Sequence, residues 1–421
     1  MSFTRRTLLT KALATGGLLA APGLVRAESR RVRIGYISAL SGPRAEFGTA
    51  DPWMLTQVRG LLAAGLTVGG VTHEVEILSR DNESNPNRSS EVGADLILRE
   101  NVDLLLVQDL DASIVTGEMS DMAGIPAIST MGPWQAWVYG RGATPEAGFP
   151  WSFTFFWGVD AALGTFVRMW DQVATNRQVG DFYFDNAAGR AFSDPALGLP
   201  ALMAGAGYRR TPGGLYQIDT TDFAAQVSQF QQAGADIVTG FGFATHWASF
   251  WAQAGQAGYH PKVASFAAAF LFPSAIEALG ARGEGMTTEV WWSPQMPWRS
   301  SLTGQSAAEL ARAYEADTGR QWLQTLGYSH ALFETGIAAL KASGAPKDRA
   351  AVRAAIAGMT LDTVVGRVDW AGSPIPNVAQ TAVAGGQWRR AKRFAYDLHI
   401  TETHFAPGLT PDGETLALPV P

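Results

Sequence analysis

Short runs of aliphatic residues alternate with amphipathic segments along most of this chain, and this alternation constrains the fold more than any other feature. The run at 102–107 is almost wholly apolar, as in a strand buried on both faces. The segments between such runs place apolar residues three or four positions apart, which predicts helices. Four predicted strands with helices between them precede residue 130, and a similar series resumes at 161. The pattern predicts an α/β fold with parallel sheets covered by helices.

The segment 124–164 joins the two series and is rich in aromatic residues, with Trp134, Trp137, Trp151 and Trp157 among them. Large aromatic side chains commonly belong to a core. These side chains flank Gly, Pro and Ser turns, however, and the loops that follow parallel strands are where open α/β sheets bind ligands. We therefore expect the segment to end one lobe, line a cleft and cross into a second lobe.

The first residues have the features of an export signal. Arg5 and Arg6 precede an uncharged run at 12–25, and Ala27 completes a small-x-small cleavage site. The residues around the arginine pair resemble the twin-arginine export signal. We expect a signal peptide over residues 1–27, cleaved near Ala27, and a periplasmic mature protein.

Composition excludes several classes of partner. The chain has a formal net charge of −6 and no cysteine. A negative balance argues against nucleic acid, and the lack of cysteine rules out disulfides, thiolate metal sites and a lipid anchor on cysteine. We expect no cofactor, no metal, no nucleic acid partner and no stable membrane anchor.

Three segments resemble catalytic or metal-binding motifs only in part. Gly327 to Ala331 approaches the nucleophile elbow around Ser329, but its last glycine is missing and the run is helical. The segment 240–245 lacks the third glycine of a dinucleotide fingerprint, and His399 and His404 do not have the spacing of a zinc motif. We expect no enzymatic activity.

The ordered set of segments resembles the extracellular solute-binding proteins of ABC importers, in the type I cluster with the branched-chain amino-acid binders. The resemblance covers nearly the whole mature chain, although no single motif decides it. It is carried by the segments 34–43, 124–129, 221–226, 233–238, 328–331 and 365–370.

The resemblance implies an α/β fold with two Rossmann-like lobes whose parallel sheets are joined by a three-segment hinge. Lobe 1 would comprise 31–151 and 288–365, and lobe 2 would comprise 152–287 and 366–421. Hinge closure around a small-molecule ligand would be the working motion. The implied partner is an ABC permease in the inner membrane, and we expect a monomer.

The family pattern places the ligand in loops at the carboxyl ends of strands from both lobes. The candidate ligand-binding residues are Ser41, Arg44, Phe47, Asp109, Asp111, Ser129, Thr130, Met131, Trp134, Trp157, Asp185, Phe243, His246 and Ala267.

Two departures from the family pattern bear on the ligand. Asp109 and Asp111 stand where amino-acid binders hold the ligand carboxylate with hydroxyls and backbone amides, and they would repel an anion. The segment 267–270 carries no charge where those binders hold the ammonium with an acidic residue. An α-amino acid would then bury its ammonium without a counter-charge.

We therefore expect an organic ligand with an aromatic or otherwise apolar body. An amine or quaternary ammonium compound is the second expectation, since two acids among aromatic rings can accept a cation. Ordinary amino acids come third. A ligand sensor of the same fold, without transport, stays open.

Overall fold

A computed structural model describes residues 30–420, and the predicted signal peptide lies outside the described residues. The described chain forms two seven-stranded sheets and one two-stranded hairpin. Helices cover both large sheets, as the alternation predicts. The fold class is therefore confirmed as a two-lobed α/β architecture with mainly parallel sheets.

The strands are numbered in chain order. They are β1 (Arg31–Ser38), β2 (Leu66–Val68), β3 (Val71–Asp81), β4 (Leu104–Val107), β5 (Ala127–Ser129), β6 (Ser152–Phe155), β7 (Gln178–Phe184), β8 (Arg209–Tyr216), β9 (Ile237–Phe241), β10 (Val263–Ala267), β11 (Thr287–Val290), β12 (Thr360–Thr363), β13 (Gly366–Asp369), β14 (Val378–Ala379), β15 (Ala384–Arg390) and β16 (Tyr396–Glu402).

The α-helices are numbered in the same way. They are α1 (Asp51–Leu61), α2 (Pro86–Ala94), α3 (Leu110–Ala123), α4 (Trp134–Gly140), α5 (Val159–Asp171), α6 (Ala187–Ser193), α7 (Leu199–Gly205), α8 (Ala224–Gln232), α9 (Ala244–Gln256), α10 (Pro273–Ala278), α11 (Ala307–Thr318), α12 (Gln324–Ala342) and α13 (Arg349–Ala357). Short 3₁₀ turns at Ala45–Gly48 and Gly280–Gly283 and a π-helical turn at Asp95–Arg99 complete the helical segments.

The first sheet has the strand order β14-β6-β5-β4-β1-β3-β2. Its central strands are parallel, and β1 pairs with both β3 and β4. All four residues of β4 are buried, as expected of a strand with helices on both faces. Helix α12 packs against this sheet and against α1, and almost all of its residues are buried.

The second sheet has the order β16-β15-β11-β10-β9-β7-β8. The inner strands are parallel, while β15 pairs antiparallel with both β11 and β16. Strand β8 has no counterpart in the sequence interpretation. Its only large apolar residues are Leu215 and Tyr216, and the Pro212, Gly213 and Gly214 that precede them are unfavourable in strands. It is an edge strand, where such residues are tolerated.

The chain crosses between the two sheets three times, later than the predicted boundaries place the crossings. Strand β6 still pairs with β5, and β11 with β10, so the first two crossings follow Phe155 and Val290. The third crossing is expected at 364–370, but Gly366–Asp369 forms a hairpin with β12. The chain then adds β14 to the first sheet before it reaches the second. A strand as short as the two-residue β14 leaves no recognisable pattern in the sequence. The residue ranges given for the two lobes stay a prediction.

The C-terminal region agrees only in part with the sequence interpretation. Of the two strands that the sequence predicts there, the one at 387–388 lies within β15, whereas 380–383 forms no strand. Strand β16 pairs with β15 and contains His399. Its Nδ1 lies 3.3 Å from Asp412 Oδ2. Among residues 30–420, no helix has the length and apolar character needed to cross a bilayer.

Candidate functional site

A small cavity of about 50 Å³ lies between the two sheets, at the carboxyl ends of their parallel strands. Every lining residue follows or ends a strand of one of the two large sheets, which is the position expected of a ligand site in open α/β sheets. The lining residues are Arg44, Phe47, Gln108, Asp109, Leu110, Asp111, Met131, Pro133, Phe156, Trp157, Asn186, Ala188, Phe241, Phe243, Ala268, Glu289 and Trp291.

Aromatic rings from both lobes meet in the wall of this cavity. Phe47, which follows β1, has its ring centroid 6.3 Å from that of Phe243 and 6.0 Å from that of Trp291. The Trp157 and Trp291 rings are 5.9 Å apart. An aromatic wall contributed by both lobes suits an apolar solute enclosed between them.

Arg44 and two aspartates form the charged part of the lobe 1 wall. The Arg44 guanidinium pairs with Asp111, and its Nη2 donates to Asp109 Oδ1 at 3.2 Å. Asp109 Oδ1 also accepts from the Ala112 N–H at 2.8 Å and caps α3. Burial opposes the charge of Arg44, yet the two carboxylates raise its pKa overall. From the sequence, Asp109 and Asp111 are expected to repel an anionic ligand. In the structure, both carboxylates instead pair with the Arg44 guanidinium.

Glu289 supplies the charged part of the lobe 2 wall. It is 1 % exposed, and its Oε1 accepts from the Ala268 N–H at 3.0 Å. Burial raises the pKa of Glu289 to about 7, although the Ala268 N–H and the Thr288 hydroxyl lower it in part. Strand β11 thus places a carboxylate beside the uncharged segment 267–270.

Two non-glycine residues in the cavity wall have left-handed backbone conformations. Met131 follows β5 with φ +61°, and Ala268 follows β10 with φ +65°. Such conformations cost free energy for side chains other than glycine, and they cluster at binding and catalytic sites. Here one stands on each side of the cavity.

The structure brings together about half of the residues predicted for the site. The cavity is lined by Arg44, Phe47, Asp109, Asp111, Met131, Trp157 and Phe243. Their role in binding the ligand stays a prediction.

The other predicted residues lie outside the cavity wall, and most have a structural partner. Ser41 Oγ donates to Asp81 at 2.6 Å, while Ser129 Oγ and Thr130 Oγ1 donate to backbone carbonyls of β6. His246 packs beside Phe243, and its Nε2 lies 3.0 Å from the Ile218 carbonyl oxygen. The sequence places these four residues near strand ends, but it does not show whether each side chain points into the cavity or toward a structural partner.

Three further predicted residues flank the cavity. Asp185 pairs with Arg190 at 2.6 Å in an outer groove. Trp134 begins α4 and packs on Tyr139, with ring centroids 6.5 Å apart. Ala267 is buried in β10, and the next residue along the chain lines the cavity in its place.

Sequence reasoning missed a second set of lining residues, among them Gln108, Asn186, Glu289 and Trp291. Glu289 and Trp291 lie in the segment 286–293, which the sequence predicts as a strand that contains the return crossing. Their signal is the carboxyl end of a strand followed by large aromatic residues, which is the same feature that marks Trp157.

Two α/β lobes that enclose a cavity at their strand ends define a bilobed binding protein. A family model described as periplasmic binding protein matches residues 31–392, so the chain belongs to the periplasmic binding protein family. The family resemblance inferred from the sequence is therefore confirmed.

Solved structures share this fold at low sequence identity. A periplasmic binding protein type 1 from Bordetella pertussis Tohama I is 17% identical with a TM-score of 0.71, over 88% of this chain and 100% of that chain. A leucine-binding protein LivK from Thermotoga maritima MSB8 is 17% identical with a TM-score of 0.68, over 87% of this chain and 97% of that chain.

A third similar structure is a solute-binding protein of an ABC transporter from Rhodopseudomonas palustris BisB5, in complex with 3,4-dihydroxybenzoic acid. It is 16% identical with a TM-score of 0.68, over 93% of this chain and 99% of that chain. At such identities the likeness shows the fold alone.

Proposed function

We propose that this protein is the periplasmic solute-binding component of an ABC importer and captures a small organic solute with an aromatic or apolar body. The single observation that carries the proposal is the cavity between the two lobes, walled by aromatic rings at the strand ends of both sheets. Membership of the periplasmic binding protein family supports it. The partner would be an ABC permease in the inner membrane.

Solute entry requires the lobes to separate. The cavity of about 50 Å³ is far smaller than the roughly 300–1,000 Å³ of most ligand pockets. Contacts across the cleft close it on the solvent side: Ser274 Oγ donates to Glu46 Oε1 at 2.7 Å, and Phe47 packs on Phe272 with ring centroids 5.0 Å apart. Rotation of the lobes about the hinge would break these contacts and open the site.

The solute would leave the protein chemically unchanged. Ser329, the centre of the partial nucleophile motif, is 0 % exposed inside α12 and donates to Asp51 at 2.8 Å. A nucleophile held in this way cannot reach a substrate.

A ligand sensor of the same fold is the alternative function. It would bind its ligand without passing it to a permease. Permease and ATPase genes next to the gene of this protein would favour import.

A thermal-shift screen tests the proposal. The panel contains matched aromatic and aliphatic amines, alcohols and carboxylates, together with amino acids. A solute that binds only the folded protein stabilises it by about 3 kcal/mol at a hundred times its Kd, so a true ligand raises the melting temperature clearly. No shift with any compound, at millimolar concentration, would contradict solute binding.

A further inference from the structure

Glu289 is a buried carboxylate that lines the cavity and forms no ion pair with any of residues 30–420. Its hydrogen-bond donors include the Ala268 N–H and the Thr288 hydroxyl, each at 3.0 Å, and both are neutral. Arg44, the guanidinium in the same wall, is already engaged by Asp109 and Asp111. A carboxylate can accept about four hydrogen bonds, so Glu289 retains acceptor capacity.

Gln108 offers a second free acceptor in the same cavity. Its Nε2 donates to the Phe47 carbonyl at 2.5 Å, which fixes the orientation of the amide. Its Oε1 is buried and has no hydrogen-bond partner among the described residues. A buried acceptor without a partner is costly, and a donor on a bound solute would remove that cost.

The charges around the cavity favour a cation. When all are ionised, three carboxylates, those of Asp109, Asp111 and Glu289, stand against the single guanidinium of Arg44. An anionic solute would add a further negative charge at low dielectric, whereas a cation would reduce the excess. Aromatic faces such as those of Trp157 and Trp291 also attract a cation.

We infer that the solute carries a protonated amine on its apolar body, and that the Glu289 carboxylate and the Gln108 carbonyl bind this amine. The inference rests on the proposed solute-binding function and adds the charge of the solute and the residues that recognise it. An ammonium group supplies three donors, enough for both acceptors at once. The Trp157 indole N–H, which has no partner among the described residues, can then donate to an acceptor elsewhere on the solute.

Calorimetric titration with three matched probes tests the inference: 2-phenylethylamine, 2-phenylethanol and 3-phenylpropionate. The wild-type protein should bind the amine most tightly. Glu289→Gln keeps the shape and an acceptor for the Ala268 N–H, and should weaken amine binding at least tenfold while leaving the alcohol unchanged. Asp181→Asn is the matched control, because Asp181 is a buried carboxylate of β7 that lies outside the cavity wall. It should leave the affinity for the amine unchanged.

The outcomes separate the two proposals. Amine binding that is equally tight in Glu289→Gln, or a carboxylate that binds best, overturns the inference and leaves solute binding intact. Failure of these probes and of every compound in the thermal-shift panel overturns both.

Discussion

Single side chains decide whether the aromatic residues of segment 124–164 serve the core or the site. Trp157 lines the cavity, whereas Trp134 does not. Trp157→Ala should weaken solute binding by about 2 kcal/mol, roughly thirtyfold. Trp134→Ala should leave the affinity unchanged, as measured by titration with a solute found in the screen.

Because Trp157 is buried, Trp157→Ala could weaken binding by destabilising the fold. A second variant, Trp157→Phe, separates the loss of stability from the loss of affinity. Truncation of a buried tryptophan costs about 3–5 kcal/mol of stability, and Trp157 is 2 % exposed. Trp157→Phe retains most of the apolar volume and should still bind the solute, with a higher denaturant midpoint than Trp157→Ala. Equal affinities in all three proteins would show that Trp157 belongs to the core alone.

The buried carboxylate of Glu289 predicts opposite effects of pH on stability and on amine binding. Its pKa rises from 4.5 to about 7 on folding, so the folded state holds a proton that the unfolded state loses. Stability therefore falls as the pH rises from about 4.5 to 7. Glu289→Gln should raise the free energy of unfolding at pH 8 by up to about 3 kcal/mol, as measured by denaturant titration at several pH values.

Amine binding needs the ionised carboxylate, so the affinity of the wild-type protein should rise between pH 6 and pH 8. Arg44, Asp109 and Asp111 are the other charged groups in the cavity wall, and they are retained in Glu289→Gln. The rise should therefore disappear in that variant. A wild-type affinity that falls over this range would contradict the role of Glu289.

At the scale of elements, the packing of α12 against α1 depends on a buried polar cluster. Asp51, the first residue of α1, accepts from Ser329 Oγ and from Tyr36 Oη, each at 2.8 Å. Burial raises the pKa of Asp51 to about 6, although both hydroxyls lower it. Ser329→Ala should therefore lower stability by about 1–3 kcal/mol, and more at pH 7 than at pH 4, where Asp51 is protonated.

Ser343→Ala is the matched control for that variant, because Ser343 caps the same helix and bonds only to neighbouring backbone. It should change stability by less than about 0.5 kcal/mol. Denaturant midpoints at both pH values make the comparison. No loss of stability in Ser329→Ala would contradict the structural role assigned to this hydroxyl.

The strands and the loops after them also show how much of the fold can be predicted from the sequence. Strands such as β4 and β9 are predicted because their apolar runs are bounded by turns, and their order along the chain predicts the sheets. The loops after them can be placed for the same reason. Which side chain in a loop turns inward depends on contacts distant in sequence, so Asp111 lines the cavity while Asp185 pairs with Arg190 outside it.

Glu289 and β14 are examples of features that could not be predicted from the sequence. Glu289 can be assigned to the cavity only when the neighbouring strand β10 is placed beside it, because their contact depends on sheet order. Strand β14 has two residues and no periodicity, and its place beside β6 decides where the third crossing falls. Sheet order and short edge strands are properties of the assembled fold.

At the scale of the whole molecule, the predicted signal peptide implies export of the protein. It also implies a mature N-terminus at Glu28 or within a residue or two of it, which N-terminal sequencing of periplasmic material can check. Changing Arg5 and Arg6 to Lys should trap the precursor in the cytoplasm if the twin-arginine route is used. Normal export of the double variant would reject that route, and periplasmic protein that begins at Met1 would reject cleavage.

The central claim is that two lobes close on a small solute, and small-angle X-ray scattering measures this closure directly. The mature protein is compared in the absence of solute and with a saturating amount of the compound in the thermal-shift panel that raises its melting temperature most. Hinge closure predicts a smaller radius of gyration with solute. At a solute concentration only a few times the wild-type Kd, the decrease should be much smaller in Trp157→Ala, because its affinity should be roughly thirtyfold lower. An unchanged radius of gyration at confirmed saturation would contradict a closing interlobe site.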